Sequence, residues 1–593
     1  MKALITLLLG LLCFTSMAQT GIAVPELAHC DESMQDFMRR WKVLGASVAL
    51  SKDGQLVYDR AFGYADVDRT VPLQPYHLMR VASISKSVTA LAVMKLVEQG
   101  KLTLSHKVFG PTGYLKGAAY NKEIKDLRLH EVTVQQLLEH TGGWDRDIGC
   151  DGYGGCDPID FPTHVAKVMR VPNPVGDSTI IRYMLRQGLN YAPGTRFAYS
   201  NIGYLVLGKV VEAVTHQLYG TWVRQNVLEP SGVLEAHLAQ NLPTARRERE
   251  SDYLSRSNMI SCYNTGLKVP AAYGGFQVEA MNAHGGWMFS ARDLVRLILA
   301  ADGSDTRPDL LAPATLKSMT TPSALTPWYS KGWMVDGHNW WHTGLLDGTS
   351  TLVMRSAGGY TWAILLNTDN NTTQFWHELK ALGWNWVDKA RKWPAHNLFA
   401  PERNASQLDA SATDSAHAHI SWANGNGSHR LLLLKPNGCS TAFPVDGTVY
   451  PEGKVLSDGT LVVANGTASA ALLPTLQPSI TYYARVVEYR QDSTTNNRPV
   501  YTLEGNATLV LQPQVLAQEP PQLAVYTGPV QGVTGASGRP QRPSSVAKSP
   551  RQAHVAGDVQ PVRNVPTRQQ PPSPAVLHVR RTGRESSLRL ARQ

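Results

Sequence analysis

Apolar and polar positions change period several times along the chain. The run LGASVALSKDGQLVYDRAFGYADVD alternates on both sides of Lys52-Asp53-Gly54, which predicts a β-hairpin. From Ser83, SISKSVTALAVMKLVEQG places Val88, Leu91, Ala92, Val93 and Leu96 at helical spacing and stops at Gly100. That pattern predicts a buried helix whose first turn holds Ser83, Ile84, Ser85 and Lys86. VTVQQLLEH predicts another helix, ended by Gly142-Gly143, and Ile202 to Val214 a third, entered from a turn at Pro193-Gly194. GWMVDGHNWW and LLDGTSTLVMR read as strands, the second with a turn at Asp347-Gly348, so the His342-Thr343-Gly344 triplet between them is expected on a β edge. Helical and strand periods mix in this way over 24–395. Over 415–512 short alternating runs (HRLLLL, GTVY, GTLVVA, TYYARVVEY) separated by Gly, Asn, Asp and Pro predict an all-β sandwich. Residues 513–593 are rich in Pro, Gln, Arg and Ser and carry no period, so a disordered tail is expected there.

The first residues have a targeting pattern rather than a structural one. Met1-Lys2, an apolar run from Ala3 to Phe14 and small residues at Ser16 and Ala18 describe a signal peptide over 1–18, cut after Ala18. The reading is therefore an exported protein, periplasmic or secreted. Leu12 stands before Cys13 where a lipoprotein wants a small residue, which argues against lipidation. No other stretch reaches the roughly 18 uninterrupted apolar residues of a transmembrane helix.

At 593 residues, 43% hydrophobic and 18% charged, the chain has room for more than one globular domain and excludes collagen, coiled coil and a multi-span membrane protein. Its 57 Lys and Arg against 47 Asp and Glu give +10. Eleven basic and three acidic residues lie in 513–593, so most of the excess belongs to the tail and the folded part is nearly neutral. A basic tail on an exported protein points to anionic cell-envelope polymers as partners, and nucleic-acid binding is not expected because the tail lacks interleaved aromatics.

Export permits disulfides. The mature chain keeps Cys30, Cys150, Cys156, Cys262 and Cys439, an odd number. Cys150 and Cys156 bracket the flexible DGYGG and are the expected bridge, the alternative being two buried thiols. His130-Glu131 and His377-Glu378 lack the second His of a zinc helix, and no CxxC occurs, so neither a metal nor another cofactor is expected.

Candidate chemistry starts at Ser83 and Lys86. An i, i+3 pair shares one helix face, so the amine can stand beside the hydroxyl as the base that a weak serine nucleophile needs. The same spacing recurs at Ser545 and Lys548 within the tail, where nothing fixes the geometry, so context separates the two. Tyr199-Ser200-Asn201, on a loop before a helix, offers a phenol as proton shuttle and an amide as substrate orienter. His140-Thr141-Gly142 duplicates the later triplet but ends a helix, which assigns it a structural role. No GxSxG occurs, which disfavours an α/β-hydrolase.

The ordered motifs SISK, LLEHTGG, PGTRFAYSN, GGWMFSARDL and HTG, over roughly residues 30 to 390, resemble the serine β-lactamase and penicillin-binding family. The likeness is to its class C β-lactamase and DD-peptidase branch, with esterase and D-aminopeptidase relatives. The resemblance implies an α+β, β-lactamase/transpeptidase-like fold: an antiparallel sheet flanked by helices, with a helical lobe beside it and the site between them. It implies Ser83 as acylated nucleophile, Lys86 as its proton-handling partner, Tyr199 as general base or relay, and Asn201 as orienter of the substrate amide. It also implies His342, Thr343 and Gly344 as substrate-binding, and the N–H groups of Ser83 and Leu345 as the oxyanion hole. His342 stands where β-lactamases of this branch carry a lysine, which argues against avid binding of a β-lactam carboxylate. The segment from Asp145 to Gln187, longer than the branch usually shows, is expected to rim the cleft and set specificity. Downstream, ISWANGNGSHRLLLL and LQPSITYYARVVEY resemble a fibronectin type III module, with Trp422 between sheets and Tyr483, Arg485 and Val487 alternating on a late strand.

The expected function is an exported serine hydrolase that works through an acyl-enzyme on D-amino-acid peptides or small esters and amides. The alternatives are a carboxylesterase of the same fold and a non-catalytic receptor for cell-wall fragments. Whether Lys86 or Tyr199 is the base stays open at this stage, since ordinary values of about 10.4 and 10 must both fall.

Overall fold

Gln19–Gly21 (β1) opens an eight-stranded antiparallel sheet. The hairpin about Asp53-Gly54 supplies Gly45–Lys52 (β2) and Gln55–Gly63 (β3). The remaining strands come from the far end of the domain: Tyr329–Ser330 (β4), Trp333–Asp336 (β5), Asn339–Leu346 (β6), Thr349–Arg355 (β7) and Tyr360–Leu366 (β8). Their order is β1-β3-β2-β8-β7-β6-β5-β4. The two groups meet where β2 pairs with β8, from Lys52 opposite Tyr360 to Ala46 opposite Leu366. Both ends of the domain thus build the sheet, and the chain between them is free to form a helical lobe. This is a computed structural model, and it describes residues 18–512 apart from 264, 413–416, 504 and 507. The described residues fall in one compact unit. The expected leader, except Ala18, and the expected tail lie outside them, as does the charge that the tail carries.

One face of the sheet is covered by Ala28–Trp41 (α1) and Thr373–Lys389 (α6) in a cluster that includes Met34, Phe37, Val48, Phe62, Trp362, Phe375 and Trp386. Ala291–Leu299 (α5) packs on the opposite face. β8, YTWAILL, is apolar almost without interruption because helices cover it on both sides. Gly383 lets α6 lie against β8, since a Cβ there would stand 2.2 Å from Trp362 Cε2. Gly383→Ala should therefore destabilise the domain by about 1–3 kcal/mol through overpacking, read as a lower urea midpoint at unchanged slope.

The lobe is organised around Ser85–Glu98 (α2), a helix buried on nearly every side. Ser83 lies just before it, in the 3₁₀ turn Ala82–Ile84, rather than in the first α-helical turn that the spacing predicts. The tighter turn closes through Ile84 N–H donating to the Val81 carbonyl at 3.2 Å. Asp177–Gln187 (α3) and Asn201–Thr215 (α4) pack against each other, and α4 against α2.

After α6, a three-stranded sheet (Ser406–Ala412, Ala418–Ala423, Ala470–Leu472) faces a five-stranded one (Leu461–Gly466, His429–Pro436, Tyr482–Arg490, Val500–Tyr501, Thr508–Leu511). The region is all-β, with Trp422, Leu432, Leu434, Ala484 and Val486 in its core. It begins before residue 415, because Ser406–Ala412 is a strand whose weakly apolar sequence conceals it. GTVY, read as a strand from its alternation, forms none; it crosses as a loop that buries Tyr450 edge-on against Tyr501 at 5.9 Å. Arg292 of α5 reaches this region and pairs with Asp446 at 2.7 Å, both buried.

Candidate active site

Three elements grip the turn that carries Ser83. Val81 N–H donates to the Trp287 carbonyl (2.9 Å) and Trp287 N–H to Ser85 Oγ (3.1 Å). Between them Ala82 holds φ at +49°, a conformation costing about 1–3 kcal/mol that the surrounding packing sustains. The third grip is β6. Gly344 lies so close that a Cβ would stand 2.2 Å from the Val81 carbonyl oxygen, and Thr351 Oγ1 of β7 donates to that oxygen at 3.0 Å.

The register of β6 explains why its later half faces the cleft. β5 pairs with β6 only from Asn339 to Trp341, so His342 to Leu346 have no strand on that edge. A two-residue turn at Asp347-Gly348 makes Leu346 and Thr349 a hydrogen-bonded pair. Alternation then directs the Leu345 N–H away from β7, toward the turn of Ser83. The free edge of β6 thus lies beside the turn that carries Ser83.

Lys86 is wholly buried. Its Nζ donates to Ser83 Oγ at 3.0 Å and to the His284 carbonyl at 2.8 Å. That carbonyl comes from a helix, Val278–Gly285, interrupted at Asn282. Burial, then the Arg146 guanidinium, hold Lys86 well below an ordinary lysine, with Asp157 opposing. Burial thus favours the neutral form of the Lys86 amine, which stands beside the Ser83 hydroxyl. Tyr199 lies within hydrogen-bonding reach of Ser83, and its ring centroid is 4.9 Å from Lys86 Nζ. Burial pushes its phenol up to about 12, so the phenol is protonated.

Asn201 opens α4 immediately after its cap, Ser200, whose Oγ accepts from Gly203 N–H at 3.3 Å. The Asn201 amide is 7% exposed; its Nδ2 donates to Asp157, and its Oδ1 has no partner. Among the described residues this buried acceptor is left without a donor.

His342 is 1% exposed, with Nδ1 against the Thr343 carbonyl at 2.6 Å and Nε2 at 3.3 Å from the Tyr329 hydroxyl. Burial, then the nearby Lys86, lower it to about 3, so the triplet presents a neutral ring where a lysine would present a charge. His140 lies beneath Tyr199, ring centroids 4.3 Å apart, and its Nδ1 accepts from Ser200 N–H at 3.1 Å. It therefore holds the Tyr199-Ser200-Asn201 segment in place.

Three participants escaped the sequence reading: the His284 carbonyl, Asp157 and Arg146. A backbone acceptor has no signature in a side-chain pattern. Asp157 and Arg146 flank the Cys150–Cys156 bridge, which is formed, with an S–S distance of 2.03 Å. Their proximity to those cysteines in an otherwise glycine-rich stretch was the available signal. Cys30, Cys262 and Cys439 are free thiols. Among the described residues no cluster of His, Cys, Asp and Glu could hold a metal, and no helix is long and apolar enough to cross a membrane.

Comparison with known proteins places this geometry. The family model described as Beta-lactamase matches residues 31–382. Among curated proteins, Protein flp of Staphylococcus aureus (strain MRSA252) is 26% identical over 332 residues, 55% of this chain and 59% of that protein, so the chain spans less than two thirds of this relative's length. Penicillin-binding protein 4* of Bacillus subtilis (strain 168) is 27% identical over 194 residues, 32% of this chain and 37% of that one. Among solved structures, D-amino acid amidase from Ochrobactrum anthropi SV3 is similar at TM-score 0.46 and 20% identity, covering 61% of this chain and 100% of that one.

Proposed function

The chain belongs to the beta-lactamase family, and from that premise we propose that it is an exported serine hydrolase, periplasmic or secreted, working through an acyl-enzyme on D-amino-acid peptides or small esters and amides. One observation carries the reading: a buried amine, low in proton affinity, 3.0 Å from the Ser83 hydroxyl. Neutral Lys86 keeps one N–H on the His284 carbonyl and turns its lone pair to Ser83, accepting the hydroxyl proton as Oγ bonds to the substrate carbonyl carbon. The carbonyl oxygen takes up negative charge between the Ser83 and Leu345 N–H groups. The proton passes through the Tyr199 hydroxyl to the leaving oxygen or nitrogen as its bond to the acyl carbon breaks. Water then attacks the acyl-enzyme by the same route in reverse, with Lys86 again the acceptor. This division of labour makes Lys86 the base and Tyr199 the relay, because burial lowers proton affinity in the amine and raises it in the phenol. Asn201 Oδ1 accepts a substrate amide N–H.

The homologues' names support this substrate range: one is a penicillin-binding protein and another a D-amino acid amidase. A second reading, carboxylesterase, is favoured by the neutral, buried His342, which offers no charge to a carboxylate. Turnover of nitrocefin, a D-Ala-D-Ala peptide, a D-amino-acid amide and p-nitrophenyl esters by protein beginning at Gln19 tests both. Esters and D-amino-acid amides should be cleaved and nitrocefin slowly. Cleavage of esters alone would leave the carboxylesterase, and turnover of none would leave a receptor. The all-β region, which we read as fibronectin III-like, and the basic tail would supply contact with anionic envelope polymers, lost when the chain is cut after Pro513 with turnover intact.

A further inference from the structure

We propose that Arg146, just ahead of the disulfide-closed loop, is the specificity-determining cation of this site and binds a carboxylate carried by the substrate. This deepens the serine-hydrolase reading and rests on it. The guanidinium carbon stands 4.8 Å from the Tyr199 ring centroid, on the phenol that handles the leaving group's proton. Its side chain is 43% exposed, so an incoming anion can reach it. Its ion pair among the described residues is with Asp147, a carboxylate 87% exposed and 3.9 Å away, a weak contact that a substrate anion can displace.

The other basic groups about Ser83 do not compete for an anion. Lys86 and the imidazoles of His140, His284 and His342 are all buried and driven toward the neutral form, burial being the first cause in each case. Arg146 offers a guanidinium, whose planar fork of N–H donors matches a carboxylate. The cation that the triplet lacks at His342 is thus supplied by another segment, at Tyr199.

The main chain beneath Arg146 is fixed on both sides. Asp145 N–H donates to Asn190 Oδ1 at 2.9 Å, and its carboxylate accepts from the Tyr191 hydroxyl at 3.3 Å. The Arg146 carbonyl accepts from Cys156 N–H at 2.8 Å, next to the Cys150–Cys156 bridge. The stacked rings of Tyr153 and Phe161, centroids 4.2 Å apart, tie the loop's tip to the following helix, Pro162–Met169. A long, flexible side chain on an anchored base is suited to closing on a carboxylate bidentately.

The test compares two D-alanyl thioesters, one whose thioglycolate leaving group carries a free carboxylate and the other its methyl ester. Arg146 also lowers Lys86, so Arg146→Ala alters the base toward both substrates alike, and that effect cancels in the ratio of their kcat/KM values. We expect the ratio, free carboxylate over methyl ester, to fall about ten-fold in Arg146→Ala, the worth of one charge-assisted pair, and to be largely retained in Arg146→Lys. An unchanged ratio in Arg146→Ala overturns the inference while leaving the hydrolase in place. Failure of the wild-type protein to cleave either thioester overturns the hydrolase reading and this inference with it.

Discussion

Ser83→Ala abolishes covalent labelling by a fluorescent penicillin or phosphonate probe and lowers ester turnover by about 10⁴- to 10⁶-fold, the range seen when a catalytic serine is removed. The size follows from the chemistry: without Oγ no acyl-enzyme forms, and what remains is attack by water in a site that still binds and polarises the carbonyl. The fold should be unaffected. The hydroxyl accepts from Lys86 Nζ, which keeps its bond to the His284 carbonyl, and the grips on the turn come from Val81, Ser85, Gly344 and Thr351. An unchanged urea transition together with lost labelling is the expected pair of results. A variant that folds and still takes up the probe would remove Ser83 from the nucleophile's position.

The second large effect is at Lys86. Lys86→Met, which keeps the side chain's length and removes its basicity, should lower kcat/KM by about 10²- to 10⁴-fold, the contribution of a positioned acid-base group. The pH dependence gives the more specific signature. Burial favours the neutral amine, so activity is present above the folded-state value of Lys86 and lost as pH falls through it. That ascending limb lies well below the 10.5 of a free lysine and should be absent from Lys86→Met. Tyr199, pushed up to about 12, adds no titration at lower pH. An ascending limb unchanged in Lys86→Met would transfer the base role elsewhere.

The sign of the Lys86 shift also bears on stability. Between its lowered folded value and 10.5 the unfolded chain binds a proton that the folded chain refuses, so the buried amine costs stability as pH falls below 10.5.

Much of the architecture was legible in residue order. The hairpin about Asp53-Gly54, the buried helix after Ser83, the helix after Tyr199-Ser200-Asn201 and the strands about Asp347-Gly348 follow from period and turn residues, which act over a few positions. Where local signals mislead, the reason is tertiary. Ser83 leaves the α-helix for a 3₁₀ turn because Trp287 and β7, both distant in sequence, hold Val81. GTVY alternates like a strand yet stays a loop, since burial of Tyr450 against Tyr501 satisfies its apolar side without a ladder. Ser406–Ala412 is a strand despite weak alternation because Ala418–Ala423 pairs with it.

By itself the sequence determined which residue types stand in which order: a serine three positions before a lysine, a tyrosine two before an asparagine, and a histidine, a threonine and a glycine in succession. Those spacings are properties of the covalent chain. Only the tertiary structure decided in which direction each ionisable group is shifted. Lys86 is shifted toward its neutral form, Tyr199 is protonated and His342 uncharged because each is enclosed by segments distant in sequence, where water cannot stabilise charge. The same enclosure leaves the accessible positive charge to Arg146, which no spacing links to Ser83 and which the fold places over Tyr199.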